Sequence, residues 1–243
     1  MSTIERAYLI CATPRSGSTL LCELLRATGV AGCPEEYFET LRSTGYPRQP
    51  RQYFEGLPEV QALLPEVDPG TPEREFDWDG VLRAGTTANG VFGAKVMYAH
   101  LADLWPRLGG RRLEEVLPGL RYVRVSRADR VAQAVSLWIA VQTQRWRDEG
   151  DNPETHEPVY SFAAIRHLVE QLTAHERAWD AWLRGRDAID VPYEALAADP
   201  GGTVTALLGR LGIEGRVPDV ARLRRQAGER SREWIERYGQ EAA

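Results

Sequence analysis

Tyr8-Leu9-Ile10-Cys11-Ala12-Thr13-Pro14-Arg15-Ser16-Gly17-Ser18-Thr19-Leu20-Leu21 reads as a buried strand, a polar turn and the start of a helix running to about Ala27. In such a turn the backbone N–H groups converge on one spot. The open amides and the positive end of the helix dipole then favour an anion there. Gly17 permits close approach, and Arg15, Ser16, Ser18 and Thr19 add side-chain donors. The plain alternative is a capped turn between a strand and a helix.

Working outward, short apolar runs with the look of buried strands lie at Ala7 to Thr13, Gly90 to Met97, Leu120 to Ser126 and Ala188 to Tyr193. Helical spacing fills the gaps between them. Ser161 is placed to cap a helix whose apolar positions Phe162, Ile165, Leu168, Val169, Leu172, Trp179 and Trp182 fall three to four apart, and Val131, Val135 and Trp138 mark another. The alternation predicts an α/β fold, a three-layer sandwich whose central, mainly parallel sheet binds ligands where loops leave the carboxyl ends of its strands. One domain over residues 1–243 is expected. Residues 42–80, rich in Pro, Gly and charge and carrying Tyr46, Tyr53, Phe54 and Trp78, read as an insertion or lid, with a packed irregular segment as the alternative.

At 243 residues and 43% hydrophobic content the chain can build a sizeable core. A net charge of −5 argues against a general nucleic-acid binder, so any anion site must be local. Cys11, Cys22 and Cys33 lack the C-x-x-C spacing of a zinc or redox site and read as reduced thiols. The start, Met1-Ser2-Thr3-Ile4-Glu5-Arg6, has no signal-peptide pattern, and no apolar run is long enough for a membrane span; a cytoplasmic location is expected.

An ATP or GTP site is the obvious rival. Against G-x-x-x-x-G-K-[ST], Ala12 replaces the first Gly and Ser18 stands where the Lys belongs, which weakens a kinase or NTPase reading. A sulfo group carries fewer anionic oxygens than a phosphoryl group, so its transfer requires no metal.

The loop resembles that of the cytosolic-type sulfotransferases, in which it holds the 5'-phosphosulfate of the donor; Arg15 takes the place of their usual Lys. The runs PRSGSTLLCELLRATGVAGCPEEYFE (14–39), TANGVFGAKVMY (87–98), SRADRVAQAVSLWIAVQTQRWR (126–147) and ERSREWIERY (229–238) resemble the trehalose 2-sulfotransferase family of actinobacteria. The likeness spans nearly the whole chain. It implies a phosphosulfate-binding strand-loop-helix, 3'-phosphoadenosine-5'-phosphosulfate (PAPS) as co-substrate, no metal and a homodimer. It also implies that Arg127 and Ser136 grip the 3'-phosphate, that Tyr193, in Tyr193-Glu194-Ala195-Leu196, lies near the adenine, and that Arg225, Arg230 and Ser231 belong to a basic loop closing over the donor. Arg chemistry suits such a role, because its fork of donors stays charged.

Transfer needs a base for the acceptor's hydroxyl proton. The resemblance places it at Glu36, with Glu35 beside it; adjacent side chains point apart, so one of the two faces the acceptor. Glu35, Glu36, Tyr37, Phe38 and Lys95 are the candidate acceptor-site residues, and Arg15 the candidate stabiliser of the departing phosphate oxygen. The chain carries Cys33 where members of that family carry a Glu, and Glu35-Glu36 in place of Gln-Glu. Tyr37, Phe38, Tyr53, Phe54, Tyr98 and Trp138 suit a sugar or a phenol alike. The acceptor is thus a sugar or glycoside such as trehalose, or a phenolic or other natural product. A small-molecule kinase and a non-catalytic nucleotide-binding protein are the alternatives.

Overall fold

The computed structural model describes residues 3–39, 48–68, 70, 77–108, 111–117, 119–146, 157–217 and 228–243. Four strands, β1 (Arg6–Ala12), β2 (Val91–Met97), β3 (Arg121–Ser126) and β4 (Ala188–Pro192), form one parallel sheet in the order β2-β1-β3-β4. Each matches an apolar run read from the sequence to within one residue at either end. Parallel strands need crossovers, and helices supply them: α1 (Ser18–Ala27), α2 (Pro58–Gln61) and α3 (Trp78–Gly85) between β1 and β2, α4 (Tyr98–Arg107) and α5 (Leu113–Val116) between β2 and β3, and α6 (Arg130–Thr143) and α7 (Phe162–Trp182) between β3 and β4; α8 (Tyr193–Ala198), α9 (Pro200–Leu211) and α10 (Glu229–Glu241) follow the last strand.

Strand alternation divides the core into two faces. Tyr8, Ile10, Val123, Val125, Ile189 and Val191 pack against Leu21, Leu24 and Leu25 of α1 and Leu207 and Leu208 of α9. On the other face Leu9, Cys11, Phe92 and Val96 meet Leu101 and Leu104 of α4 and Trp179 of α7. The architecture is α/β, with helices on both sides of a buried parallel sheet, as the sequence predicts. Each fully buried aliphatic or aromatic side chain contributes roughly 1.5–3 kcal/mol. Pro192 ends β4 without cost to the ladder because β4 is an edge strand.

Caps set the helix starts. Ser161 Oγ accepts the Ala164 N–H of α7 at 3.2 Å, and Asp129 Oδ1 accepts the Ala132 N–H of α6 at 2.8 Å. A third apolar cluster joins α6, α7 and α10 with Phe54, Val60 and Leu64, the Phe54 ring standing edge-on to Trp138 at 5.2 Å. The described part of residues 42–80 therefore contains packed residues; residues 42–47, 69 and 71–76 lie outside the described set.

β2 has a free edge, which the segment after α1 covers. The Lys95 N–H of β2 donates to the Glu35 carbonyl at 2.9 Å, and the Cys33 N–H ties the segment to the end of α3 by donating to the Gly85 carbonyl at 3.0 Å. Gly93 lies opposite Tyr8 in the register, and a Cβ there would come within 2.5 Å of the Tyr8 hydroxyl, which donates to the Ala31 carbonyl. Residues 31–36 are thus fixed against the sheet.

Candidate active site

The loop after β1 turns sharply. Arg15 adopts φ 60° and Gly17 φ 91°. The first is rare for a residue with a side chain and needs support from its surroundings. Gly17 is required twice over, for its φ and because a Cβ would lie 2.5 Å from Cδ2 of Tyr193, whose ring packs on the loop. Helix α1 starts at Ser18 with no side-chain cap, so its first-turn amides remain open to an acceptor. Ser16 is fully buried and its Oγ has no hydrogen-bond partner among the described residues. A buried hydroxyl of that kind is accounted for when a ligand supplies the partner.

Arg15 lies at the centre of a converging set. Its Nε donates to Ser136 Oγ of α6 at 2.9 Å and its Nη1 to the Trp146 carbonyl at 2.8 Å. Arg127, just past β3, donates through Nη1 to the Arg15 carbonyl at 3.2 Å and stacks over the Tyr193 ring at 4.6 Å. Glu194 holds this corner by accepting the Ala128 N–H at 2.9 Å. Burial, and next the neighbouring Arg127 charge, lower the Arg15 guanidinium to about 10, so it stays charged at neutral pH. Two arginines of like charge held this close form a ready anion site.

Behind the loop lies a buried polar network. Thr13 Oγ1 donates to Glu176 Oε1 at 2.6 Å, and Gln133 Nε2 donates to Thr13 Oγ1 at 2.9 Å and to the Pro14 carbonyl at 2.7 Å. Glu176 is paired with Arg124 of β3, with Arg130 Nη1 3.5 Å away. Trp179 Nε1 donates to the Ala12 carbonyl at 2.8 Å.

On the next strand, Lys95 is buried and its Nζ lies 3.0 Å from Glu36 Oε2; His100 Nδ1 lies 3.5 Å from Glu36 Oε1. Glu39 follows one turn on. Burial, and secondly the Glu36 charge, push its carboxyl up to about 7, against the pull of Lys95. The His175 imidazole is held below its ordinary value by burial first and by Arg48 next, with Glu176 opposing. Its ring packs on Tyr98 at 5.5 Å.

A family model described as Stf0 sulphotransferase matches residues 7–241. The chain belongs to the Stf0 sulphotransferase family. It is 41% identical to the trehalose 2-sulfotransferase of Mycobacterium tuberculosis, across 100% of this chain and 97% of that protein. It is 39% identical to the trehalose 2-sulfotransferase of Mycolicibacterium smegmatis, with the same coverage. Among solved structures, a sulfotransferase domain from the curacin biosynthetic pathway superposes with a TM-score of 0.52 at 17% identity, covering 95% of this chain and 83% of that one, and shares the fold.

In this Stf0 enzyme, Arg15, Ser16, Gly17, Arg127, Ser136 and Tyr193 come together around the loop, with Ser18 and Thr19 opening α1. Glu36 and Lys95 form a second group. Glu35 turns instead to an ion pair with Arg26, the Tyr37 hydroxyl donates to the Cys33 carbonyl at 2.7 Å, and Phe38 is buried against Trp78. Arg230 pairs with Glu157 at 3.2 Å, and Ser231 lies in the first turn of α10, which packs on α6. Arg225 lies outside the described residues. Sequence reasoning missed His100, Glu39, Gln133 and Glu176. Glu176 had a signal: it fills a slot in the buried row Leu168, Leu172, Trp179 of α7, where a carboxylate is out of place unless paired.

Proposed function

We propose that this sulfotransferase takes its sulfo group from PAPS and delivers it to a hydroxyl of a small acceptor, with Glu36 as general base. The observation that carries the reading is the Arg15 guanidinium bonded to Ser136 while Arg127 grips the Arg15 carbonyl, two cations from separate strand ends brought together beside the loop. The unpartnered Ser16 hydroxyl and the open amides of α1 fit the sulfo-bearing phosphate. Arg127 and Ser136 suit the 3'-phosphate and the Tyr193 ring the adenine side, with Arg225, Arg230 and Ser231 as further donor contacts.

In the transfer, the acceptor oxygen attacks sulfur as its proton passes to Glu36. The new O–S bond forms while the bond from sulfur to the phosphate oxygen breaks. The electron pair stays on that oxygen, and 3',5'-adenosine bisphosphate departs. Arg15 and the loop amides stabilise the charge developing there, and Lys95 holds the base in place, with His100 close beside it. The loop follows β1, and Glu36 is held by Lys95 toward the carboxyl end of the neighbouring strand β2, the end of the sheet at which an α/β fold presents ligands.

Trehalose is the first acceptor to test, from the names of the two relatives; Cys33 and the Glu35 to Arg26 pair set this chain's acceptor side apart from the motif it resembles. The reading places the enzyme in the cytoplasm as a homodimer. All three cysteines are free, and no described helix is long and apolar enough to cross a membrane. Calorimetry with 3',5'-adenosine bisphosphate tests the donor, and mass spectrometry for the gain of one sulfo group across sugars and phenols tests the acceptor. Folded protein with no saturable nucleotide binding would overturn the reading.

A further inference from the structure

The buried carboxylate of Glu176 touches no group assigned above to donor or acceptor, yet it lies directly behind the loop. We propose that Glu176 is a positioning residue that locks the donor loop in its binding shape. The hydrogen-bond directions leave little freedom. Arg130 Nη1 donates to Gln133 Oε1, so the amide's Nε2 faces the loop, where it donates to Thr13 Oγ1 and the Pro14 carbonyl. With its lone pair so engaged, the Thr13 hydroxyl gives its hydrogen to Glu176 Oε1. Arg124 charges the opposite oxygen and Arg130 stands by the first.

Two features make this a device for binding. Gln133 and Ser136 are three apart on α6 and share a face, so the helix that Gln133 ties to Thr13 and Pro14 also presents Ser136 to Arg15. Arg15 lies at φ 60°, a conformation that persists only when its neighbours over-determine it. Trp179, nearly one helical turn beyond Glu176, holds the Ala12 carbonyl, so α7 clamps the root of the loop at two adjacent residues.

The inference rests on the loop being the donor site, and the experiment separates the two. Calorimetry with 3',5'-adenosine bisphosphate is run on wild type, Glu176→Gln, Thr13→Val, Thr13→Ser and the Thr13→Val/Glu176→Gln double variant. Glu176→Gln and Thr13→Val each weaken the nucleotide about tenfold, the scale of one charge-assisted hydrogen bond. They raise the donor KM in step and leave the acceptor KM unchanged. Thr13→Ser, which keeps the hydroxyl, keeps wild-type affinity, and the double variant is no weaker than the worse single one because both act on the same charge-assisted bond, one by removing its donor and the other by neutralising its acceptor. If Glu176→Gln fails to fold, the contrast between Thr13→Val and Thr13→Ser decides alone. Variants that bind the nucleotide as wild type does while melting earlier overturn the proposal and leave Glu176 as core structure only. Wild type that does not bind overturns the donor reading itself, before any variant is compared.

Discussion

Lys95 holds the Glu35-Glu36 segment at two points: its Nζ lies 3.0 Å from the Glu36 carboxylate, and its backbone N–H donates to the Glu35 carbonyl at 2.9 Å. The base candidate is therefore held by the sheet edge as well as by an ion pair. Its orientation belongs to β2 as much as to the loop that carries it, which suits a group that must meet one hydroxyl in one direction.

Glu36→Gln keeps the shape and removes the proton acceptor. Turnover is expected to fall by about 10²–10⁴-fold, the range for a positioned base, while calorimetry shows unchanged affinity for 3',5'-adenosine bisphosphate. Retention of full turnover would remove Glu36 from the base role.

Gly17→Ala introduces a Cβ 2.5 Å from the Tyr193 ring at φ 91°. Both the contact and the backbone oppose it, so urea unfolding should show a loss of about 1–3 kcal/mol, with weaker nucleotide binding. Adding Tyr193→Ala relieves only the contact and leaves the backbone strain.

Arg127→Ala tests which phosphate that guanidinium serves. The affinity ratio between 3',5'-adenosine bisphosphate and adenosine 5'-monophosphate should shrink by about tenfold or more, since a charge-assisted bond to the 3'-phosphate is removed. An unchanged ratio would assign Arg127 elsewhere.

Glu39 makes stability depend on pH. Its carboxyl titrates at about 7 in the folded chain against an ordinary 4.5, so between those values the folded state holds a proton that the unfolded state has released. Its stabilising contribution is complete below 4.5 and is lost as pH rises through about 7. Glu39→Gln should flatten that part of the melting-temperature profile.

The cap on α7 gives a purely structural control. Ser161→Ala removes the acceptor for the Ala164 N–H and should cost about 1 kcal/mol in urea unfolding, with nucleotide affinity unchanged.

The strands and α7 were legible because apolar runs and a three-to-four repeat are local signals. The loop was legible too, as strand, polar turn and helix. What it leans on was not: Arg124 reaches Glu176 across 52 residues, and Thr13 reaches it across 163. The charge on Glu176 stood out in an apolar row, but its partners come from the order in which strands pair. Likewise nothing near Glu36 announces Lys95, since their meeting depends on residues 33–36 docking on the β2 edge. The left-handed turn at Arg15 was hidden because the residue is not a glycine.

The ring that packs on Gly17 comes from Tyr193, 176 residues later in the chain. Synthesis delivers the loop early and its partners late: Ser136 and Arg127 arrive midway, and Tyr193 only after β4. A nascent chain that ends before β4 therefore carries the loop and Arg127 but lacks the Tyr193 ring that packs on Gly17. The packed loop is among the last parts of this enzyme to be completed, although its central residues are among the first to be made.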